Sequence, residues 1–304
     1  MNKIFVDGWQ GTTGLKIVER LEPRKDVELI KLEGDERKDM NARLDAARLA
    51  DVTVLCLPDD AAREIASLAD ESVRLIDAST AHRTAPGWVY GMPELGLSFR
   101  KAIASSNRVA NPGCHASGVI AIIYPLIKSG IMAPETKVSA TSITGYSGGG
   151  KKMIADYEEN GYAYPRVYAP QQNHKHLREI QYVTGLETPP VFVPVVAPFY
   201  SGMQVTVPLH AAQLKGNPSP ETLRALYADF YRDGLISAGE AFENGFASAG
   251  AKAGKDTMLV SVDGNSDRMS VTAVFDNLGK GASGACIQNI NIMLGQDERT
   301  GLII

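Results

Sequence analysis

The sequence predicts an α/β protein in two parts: a Rossmann-type parallel-sheet domain, then an α+β domain with a mostly antiparallel sheet. Three observations predict it. Buried-strand and amphipathic-helix patterns alternate from Lys3 to Ser79, as βαβ units require. A glycine-rich turn joins the first strand to the first helix. Beyond about Ala110 the texture shifts to longer β-rich stretches. With 304 residues, the chain has the length for one large or two ordinary domains, each with a real core.

The elements follow in order. "KIFVDG" (Lys3 to Gly8) reads as a short buried strand. The helix after it carries Leu15, Ile17, Val18 and Leu21 on one face and stops before Pro23. Val27 to Glu33 is a second strand, "LDAARLA" a helix, and Asp51 to Pro58 a third strand. "DDAAREIASLA" is a helix with an acidic first turn, and Val73 to Ser79 is a fourth strand. One long helix follows Cys114. Strand patterns then cover Lys137–Gly145, Val191–Phe199, Gly202–Ala211, Thr257–Gly264 and Arg268–Asn277, with a helix near Thr222–Arg232. The last segment, "GASGACIQNINIMLG", returns to helical spacing.

Composition excludes several classes. The formal net charge is −4, so no basic excess suggests nucleic acid. No polybasic segment suits a membrane surface. The longest apolar run, Val119 to Ile127, is too short to span a bilayer. The N-terminus lacks the apolar core of a secretion signal, and a cytoplasmic protein is expected. Cys56, Cys114 and Cys286 are few and far apart, so neither a disulfide framework nor a metal site is expected.

Gly8, Gly11 and Gly14 form G-x-x-G-x-x-G, a variant of the dinucleotide fingerprint. The physical need is a tight turn, close backbone approach to a pyrophosphate, and exposed N–H groups at a helix start. Thr12 and Thr13 add hydroxyls. After the second strand, Glu33 argues for NAD through a ribose hydroxyl, while Arg37 and Lys38 argue for NADP through a 2′-phosphate. The segment leans to NADP, although a solvated turn would use the same two cations.

Cys114 follows Asn-Pro-Gly and heads the apolar helix. A thiol in a first helical turn meets unpaired N–H groups and the positive end of the helix dipole, and both favour thiolate. A lone cysteine is more often a small core hydrophobe. Cys56 and Cys286, inside a strand and a helix pattern, fit that description. A nucleophilic thiol needs a proton partner, and "QNHKHLREI" offers His174 and His176. Glu179 lies three residues after His176, on the same helical face, where a carboxylate can orient an imidazole. His115 is the weaker candidate, because neighbours on a helix point in different directions. His82 and His210 have no supporting context. The glycine run "GYSGGGKK" permits close approach of a ligand, and Lys151 and Lys152 can attract an anion. A dinucleotide site and an activated thiol together imply thiolate attack on an acyl carbon followed by hydride exchange.

"GWQGTTG", "LPDDAA", "IDASTAHRT", "WVYGMPEL", "NPGCHASG", "HKHLREI", "GMQVTVPL" and the closing "DNLGKGASGACIQNINIMLG" resemble the N-acetyl-gamma-glutamyl-phosphate reductase family, in its shorter variety. The resemblance runs from Lys3 to near Leu302. The related aspartate-semialdehyde dehydrogenases share the architecture. The resemblance implies reduction of N-acetyl-glutamyl 5-phosphate by NADPH to the 5-semialdehyde with release of phosphate, in arginine biosynthesis. It implies that Cys114 is the nucleophile and forms a thioester. It implies that a histidine of the H-x-H-x-x-E segment is the acid/base: His174, supported by His176 and Glu179. Ser147 and Gly148, with the glycine loop, would border the cofactor. The last helix would return to the first domain, giving a dinucleotide-binding domain of residues 1–113 plus 286–304. Residues 114–285 would form the catalytic and oligomerisation domain. A homodimer or homotetramer follows from the resemblance alone. Candidate holders of the substrate phosphate are Arg83, Arg108, Lys151 and Lys152. The readings that compete are an aspartate-semialdehyde dehydrogenase activity and a dinucleotide sensor without turnover.

Overall fold

A computed structural model describes residues 1–304. The chain divides into two compact units, Met1–Gly113 with Ala282–Leu302, and Cys114–Gly281 with Ile303–Ile304. The return to the first unit therefore begins at Ala282, four residues ahead of residue 286. Asn111 explains this early return: its side-chain amide donates to the Ala282 carbonyl at 3.0 Å. The last two residues stay with the second unit because Asp256 accepts from the Ile303 N–H at 2.9 Å and Lys255 donates to the Ile304 carbonyl at 2.8 Å.

The first unit is a six-stranded parallel sheet. Its elements are β1 (Asn2–Asp7), α1 (Thr12–Leu21), β2 (Val27–Ile30), α2 (Met40–Leu49), β3 (Val52–Leu55), α3 (Asp59–Leu68), β4 (Leu75–Asp77), β5 (Val89–Tyr90), α4 (Leu97–Ser105) and β6 (Arg108–Ala110). The strand order is β2-β1-β3-β4-β6-β5, every pair parallel. Alternate residues serve opposite faces, the period of two that a strand imposes. Ile4 and Val6 join Ile17, Val18, Val52 and Val54 in one core, while Phe5 joins Leu55, Ala62, Ile65 and Leu75 in the other. The order reverses between β1 and β3, so the carboxyl end of β1 is a topological switch point, the place where open α/β sheets take ligands.

The second unit holds α5 (Cys114–Lys128), β7 (Ser139–Gly145), α6 (Gly150–Asn160), β8 (Arg166–Val167), α7 (His176–Thr184), β9 (Val191–Ala197), β10 (Met203–His210), α8 (Pro220–Phe230), β11 (Ile236–Ala238), β12 (Phe242–Glu243), β13 (Phe246–Ala247), β14 (Met258–Gly264) and β15 (Arg268–Phe275). Seven of its strands form one sheet, ordered β11-β14-β15-β10-β7-β9-β8. Only β7–β9 and β11–β14 pair parallel, so the sheet is mixed and mostly antiparallel. Helix α5 lies flat on it. Gly118 allows this, because a Cβ there would stand 2.5 Å from Val205 and 2.9 Å from Phe275.

A wide π-type turn, Gly279–Ser283, leads into α9 (Gly284–Met293), which packs in the first unit. All ten of its residues are buried, including Gln288, Asn289 and Asn291. No helix is long and apolar enough to cross a membrane. The two-part α/β fold is the one the sequence predicts, with each predicted strand overlapping an observed one. Helices α4 and α6 and the short strands β5, β6, β8 and β11–β13 are additions.

Candidate active site

In the first unit, β1 runs directly into the glycine loop. Gly8 has φ +77°, and a Cβ there would come within 2.4 Å of the Cys56 carbonyl. Gly11 donates its N–H to the Gly8 carbonyl at 3.0 Å, closing the turn. A Cβ on Gly14 would sit 2.7 Å from both Gly8 O and Trp9 Cα, so only glycine lets α1 start this close to the strand. Thr12 and Thr13 open α1, and the buried Thr12 hydroxyl has no partner in the chain. Arg37 closes one side of this loop: its Nη1 meets the Gln10 side-chain oxygen and its Nε donates to the Gly34 carbonyl at 3.2 Å. The cleft beside the loop is lined by Asp7, Gly8, Trp9, Leu32 and Arg37. Glu33 and Lys38 are exposed.

In the second unit, Cys114 is the first residue of α5 and is half-buried. A Cβ on Gly281 would lie 3.0 Å from the Cys114 Cβ and 3.1 Å from Asp276 O, so a glycine is what leaves the cysteine its seat. None of the three cysteines is in a disulfide. Burial pushes the Cys56 thiol up to about 12 and the Cys286 thiol well above its ordinary value, so both stay protonated and inert.

A hydrogen-bonded chain of side chains runs beside Cys114. His115 Nδ1 is 2.6 Å from the Ser142 hydroxyl, and His115 Nε2 is 2.7 Å from the Tyr168 hydroxyl. The same hydroxyl is 3.3 Å from His174 Nε2. The His176 backbone N–H donates to His174 Nδ1 at 3.2 Å, which leaves the proton of the neutral His174 ring on Nε2. The donors then run one way: His174 Nε2–H to Tyr168, Tyr168 O–H to His115 Nε2, and His115 Nδ1–H to Ser142. The rings of His115, His174 and His176 pack together at 4.7–5.5 Å between centroids. His176 Nε2 is 3.8 Å from Glu179 Oε1, both side chains buried on α7.

Burial, with the charges of His174 and Lys175, drops the His115 pKa to about 3. Burial and the Lys175 charge drop that of His174 to about 4. Burial raises the Tyr168 phenol, and negative charge on Cys114 raises it further. At neutral pH both histidine rings are therefore neutral, and the tyrosine keeps its proton. The arrangement can set a nucleophile at a helix start and offer an N–H donor beside it.

Residues 3–105 match the NAD binding domain family of semialdehyde dehydrogenases, and residues 114–277 match the semialdehyde dehydrogenase dimerisation domain. A protein named N-acetyl-gamma-glutamyl-phosphate reductase 2 from Nostoc sp. is 42% identical, covering 99% of each chain. A Chelativorans sp. protein named N-acetyl-gamma-glutamyl-phosphate reductase is 45% identical over 96% of this chain and 98% of its own. This chain belongs to the N-acetyl-gamma-glutamyl-phosphate reductase family. The crystal structure of aspartate semialdehyde dehydrogenase II complexed with ASA from Vibrio cholerae shares the fold, with a TM-score of 0.73 at 17% identity over 97% of this chain and 98% of that one.

Within this family member, the two sets of candidate residues fall in different units. Gly8, Gly11, Thr12, Thr13 and Gly14 lie in the first; Cys114, His174, His176, Glu179, Ser147 and Gly148 lie in the second. Ser147 is buried in a 3-10 turn and accepts from Asn277 at 3.0 Å, while Gly148 is exposed. Lys151 and Lys152 are exposed at the start of α6. Arg108 turns to the carbonyls of Val73, Asn107 and Asp70, at the amino end of β6, and so leaves the set of phosphate candidates. Arg83 is buried and donates to the carbonyls of Asn111 and Ala78.

Two corrections to the sequence reading stand out. His115 is no outsider, since its ring lies in the cluster; the direction argument fails because β7 and the Tyr168 segment wrap the start of α5. His82 also has a context: its Nδ1 is 2.6 Å from Asp77 and its ring stacks on Trp88 at 4.0 Å. Tyr168, the hub of the chain, escaped the sequence reading altogether.

Proposed function

We propose that the chain reduces N-acetyl-glutamyl 5-phosphate to N-acetyl-glutamate 5-semialdehyde with NADPH, releasing phosphate, as a step of arginine biosynthesis. The relatives' names supply the substrate. The observation that carries the chemistry is Cys114 at the head of α5, next in the chain to His115, whose ring is joined through the Tyr168 hydroxyl to His174.

The first unit is the dinucleotide-binding domain in this reading. Its glycine loop fits the group: a Cβ at Gly8 or Gly14 would fill the cradle, and the orphaned Thr12 hydroxyl awaits an acceptor or donor. Gly8, Gly11, Thr12, Thr13 and Gly14 would hold the pyrophosphate, with Arg37 near the adenosine ribose and Ser147 and Gly148 as a further border. A bound NADPH would supply the hydride that takes the thioester to the aldehyde level.

The remaining steps belong to the chain's own residues. The Cys114 thiolate attacks the acyl carbon, a C–S bond forms, the C–O bond to phosphate breaks, and phosphate leaves with one proton from solvent. Hydride delivery to the carbonyl carbon would leave an oxyanion, and the neutral His174 Nε2–H, released from its 3.3 Å bond to Tyr168, would donate a hydrogen bond to it while keeping its proton. As the C=O re-forms from that oxyanion, the C–S bond breaks with its electron pair going to sulfur, and the Cys114 thiolate is restored with no proton moved. His176 and Glu179 hold the His174 turn at the start of α7.

The second unit, with its match to a dimerisation domain, is the catalytic and oligomerisation domain of a homodimer or homotetramer. Cytoplasmic residence accords with three cysteines and no disulfide. The test is an assay of the semialdehyde with phosphate and NADP, followed as cofactor reduction, with aspartate semialdehyde as the control. No reduction would end this reading. Cys114→Ser is expected to keep less than about a hundredth of the wild-type rate, because a hydroxyl is a far weaker nucleophile at neutral pH.

A further inference from the structure

We infer that Asn289, on the returning helix α9, is a positioning residue for the turn that carries Cys114. This inference rests on the reductase reading for its rate prediction, but not for its reactivity prediction.

Helix α9 is otherwise apolar, with Ile287, Ile290, Ile292 and Met293 buried in the core of the first unit. Gln288, Asn289 and Asn291 nonetheless sit in it at 0% exposure. Buried amides are costly unless hydrogen-bonded, so each demands a reason. Gln288 donates to the Glu94 and Glu298 carboxylates at 2.8 and 3.1 Å. Asn291 donates to the carbonyls of Glu298 and Thr300 and accepts from Arg24, so it fastens the C-terminal tail.

Asn289 does something else. Its amide nitrogen donates to the Gly91 carbonyl at 2.9 Å and to Asn111 Oδ1 at 3.2 Å. Both partners are acceptors, which fixes the orientation of the amide. Its own Oδ1 is buried and has no partner. An apolar side chain like its neighbours would avoid that orphan, so core stability alone does not account for the residue.

Asn111 opens the Asn-Pro-Gly turn, and every polar group it owns is held. Its N–H donates to Asp77 O at 2.8 Å, and its carbonyl accepts from Arg83 Nε at 3.0 Å. Its side-chain nitrogen donates to Ala282 O at 3.0 Å, and Asn289 completes the set. Gly91 belongs to the same clamp: its N–H donates to Ala110 O at 2.8 Å, and a Cβ on it would fall 2.4 Å from the Asn289 amide nitrogen. Asn111 is thus held through all four of its polar groups, and it stands three residues before Cys114. Errors of about 1 Å in such a position cost about a hundredfold in rate.

The experiment compares Asn289→Ala with Asn291→Ala on the same helix. For each it measures kcat, KM, NADPH affinity by fluorescence, the thermal midpoint, and the rate of Cys114 alkylation by iodoacetamide across pH. The expected result for Asn289→Ala is a fall in kcat of about ten- to a hundredfold and an altered alkylation profile, with NADPH affinity within about twofold of wild type. Asn291→Ala is expected to lower the midpoint while kcat and the alkylation profile stay put. Gly91→Ala, which displaces the Asn289 amide, serves as the second variant if Asn289→Ala does not fold. Wild-type kcat and alkylation in Asn289→Ala, or equal losses in both variants, would overturn the inference. A wild-type enzyme that alkylates rapidly but turns over no acyl phosphate would sink the reductase reading and leave the alkylation comparison standing.

Discussion

Arg37 is expected to make this enzyme prefer NADPH. Its guanidinium lies against the glycine loop, with Nη1 on the Gln10 side chain and Nε on the Gly34 carbonyl. Those two bonds orient the fork and leave Nη2 for a ligand. A hydrogen bond to a charged group contributes about 1.5–3 kcal/mol, which is about ten- to a hundredfold in affinity. Arg37 is half-exposed, and solvent screening pulls the expected value toward the lower end, about tenfold. The perturbation is Arg37→Ala, and the assay is kcat/KM with NADPH and with NADH, each followed by absorbance. The NADPH-to-NADH ratio is expected to fall about tenfold, almost all of it in the NADPH value, since NADH has no 2′-phosphate to lose. Lys38→Ala, at an exposed position without a bond to the loop, is expected to leave the ratio within about twofold. A ratio unmoved by Arg37→Ala, or equal losses for both cofactors, would refute the assignment.

Two further outcomes test the chain of side chains beside Cys114. Tyr168→Phe strips the buried His115 Nε2 of its donor, so unfolding stability should fall by about 1–3 kcal/mol. The thermal midpoint is the measure, at about 2–4 °C for each kcal/mol, and an unchanged midpoint would mean that the hydroxyl is not in the network. His115 also makes stability depend on pH. Its folded pKa of about 3 lies below the ordinary 6.5, so below pH 6.5 the unfolded chain binds a proton that the folded chain refuses. Stability is therefore full above pH 6.5 and declines as pH falls toward about 3, by at most about 1.4 kcal/mol per pH unit. Midpoints at pH 7.5 and 5.5 should separate less in His115→Gln than in wild type, and equal separation would show that the ring titrates normally.

The fold was legible where burial imposes a period. Strands β1, β3 and β4 are buried on both faces of a parallel sheet and announce themselves as apolar runs. Helix α1 shows its apolar stripe because only one of its faces is covered. The missed elements lack that contrast. Helix α6 starts on Gly150 straight after Gly148 and Gly149 and buries only Tyr157, so its start reads as loop. The β12–β13 hairpin is exposed on both strands, although its Asn244-Gly245 turn, with φ of +50° and +83°, is a hairpin signal the sequence does carry. Strand β8 is two exposed residues at a sheet edge, paired only by what β9 offers it.

The site was legible in its chemistry and not in its wiring. Cys114 and the His174–Glu179 segment stood out because reactive residue types in a constrained local context are visible one segment at a time. The connection of His115, next to the cysteine, with His174 is not, because it passes through Tyr168, a tyrosine flanked by Val167 and Ala169 with no spacing that singles it out. What gives Tyr168 its role is tertiary. Its N–H donates to Pro194 O at 3.1 Å, fastening the segment to β9, and this holds the hydroxyl between two imidazoles from α5 and from the turn before α7. The same logic turns His115 from the weaker candidate into a fixed acceptor of the Tyr168 hydroxyl. A ring with a pKa of about 3, held at both nitrogens, takes up no second proton at neutral pH but keeps the tyrosine hydroxyl aimed. Of the three clustered imidazoles, His174 is the half-buried one, and its Nε2–H is the donor that the backbone of His176 leaves at the end of the chain.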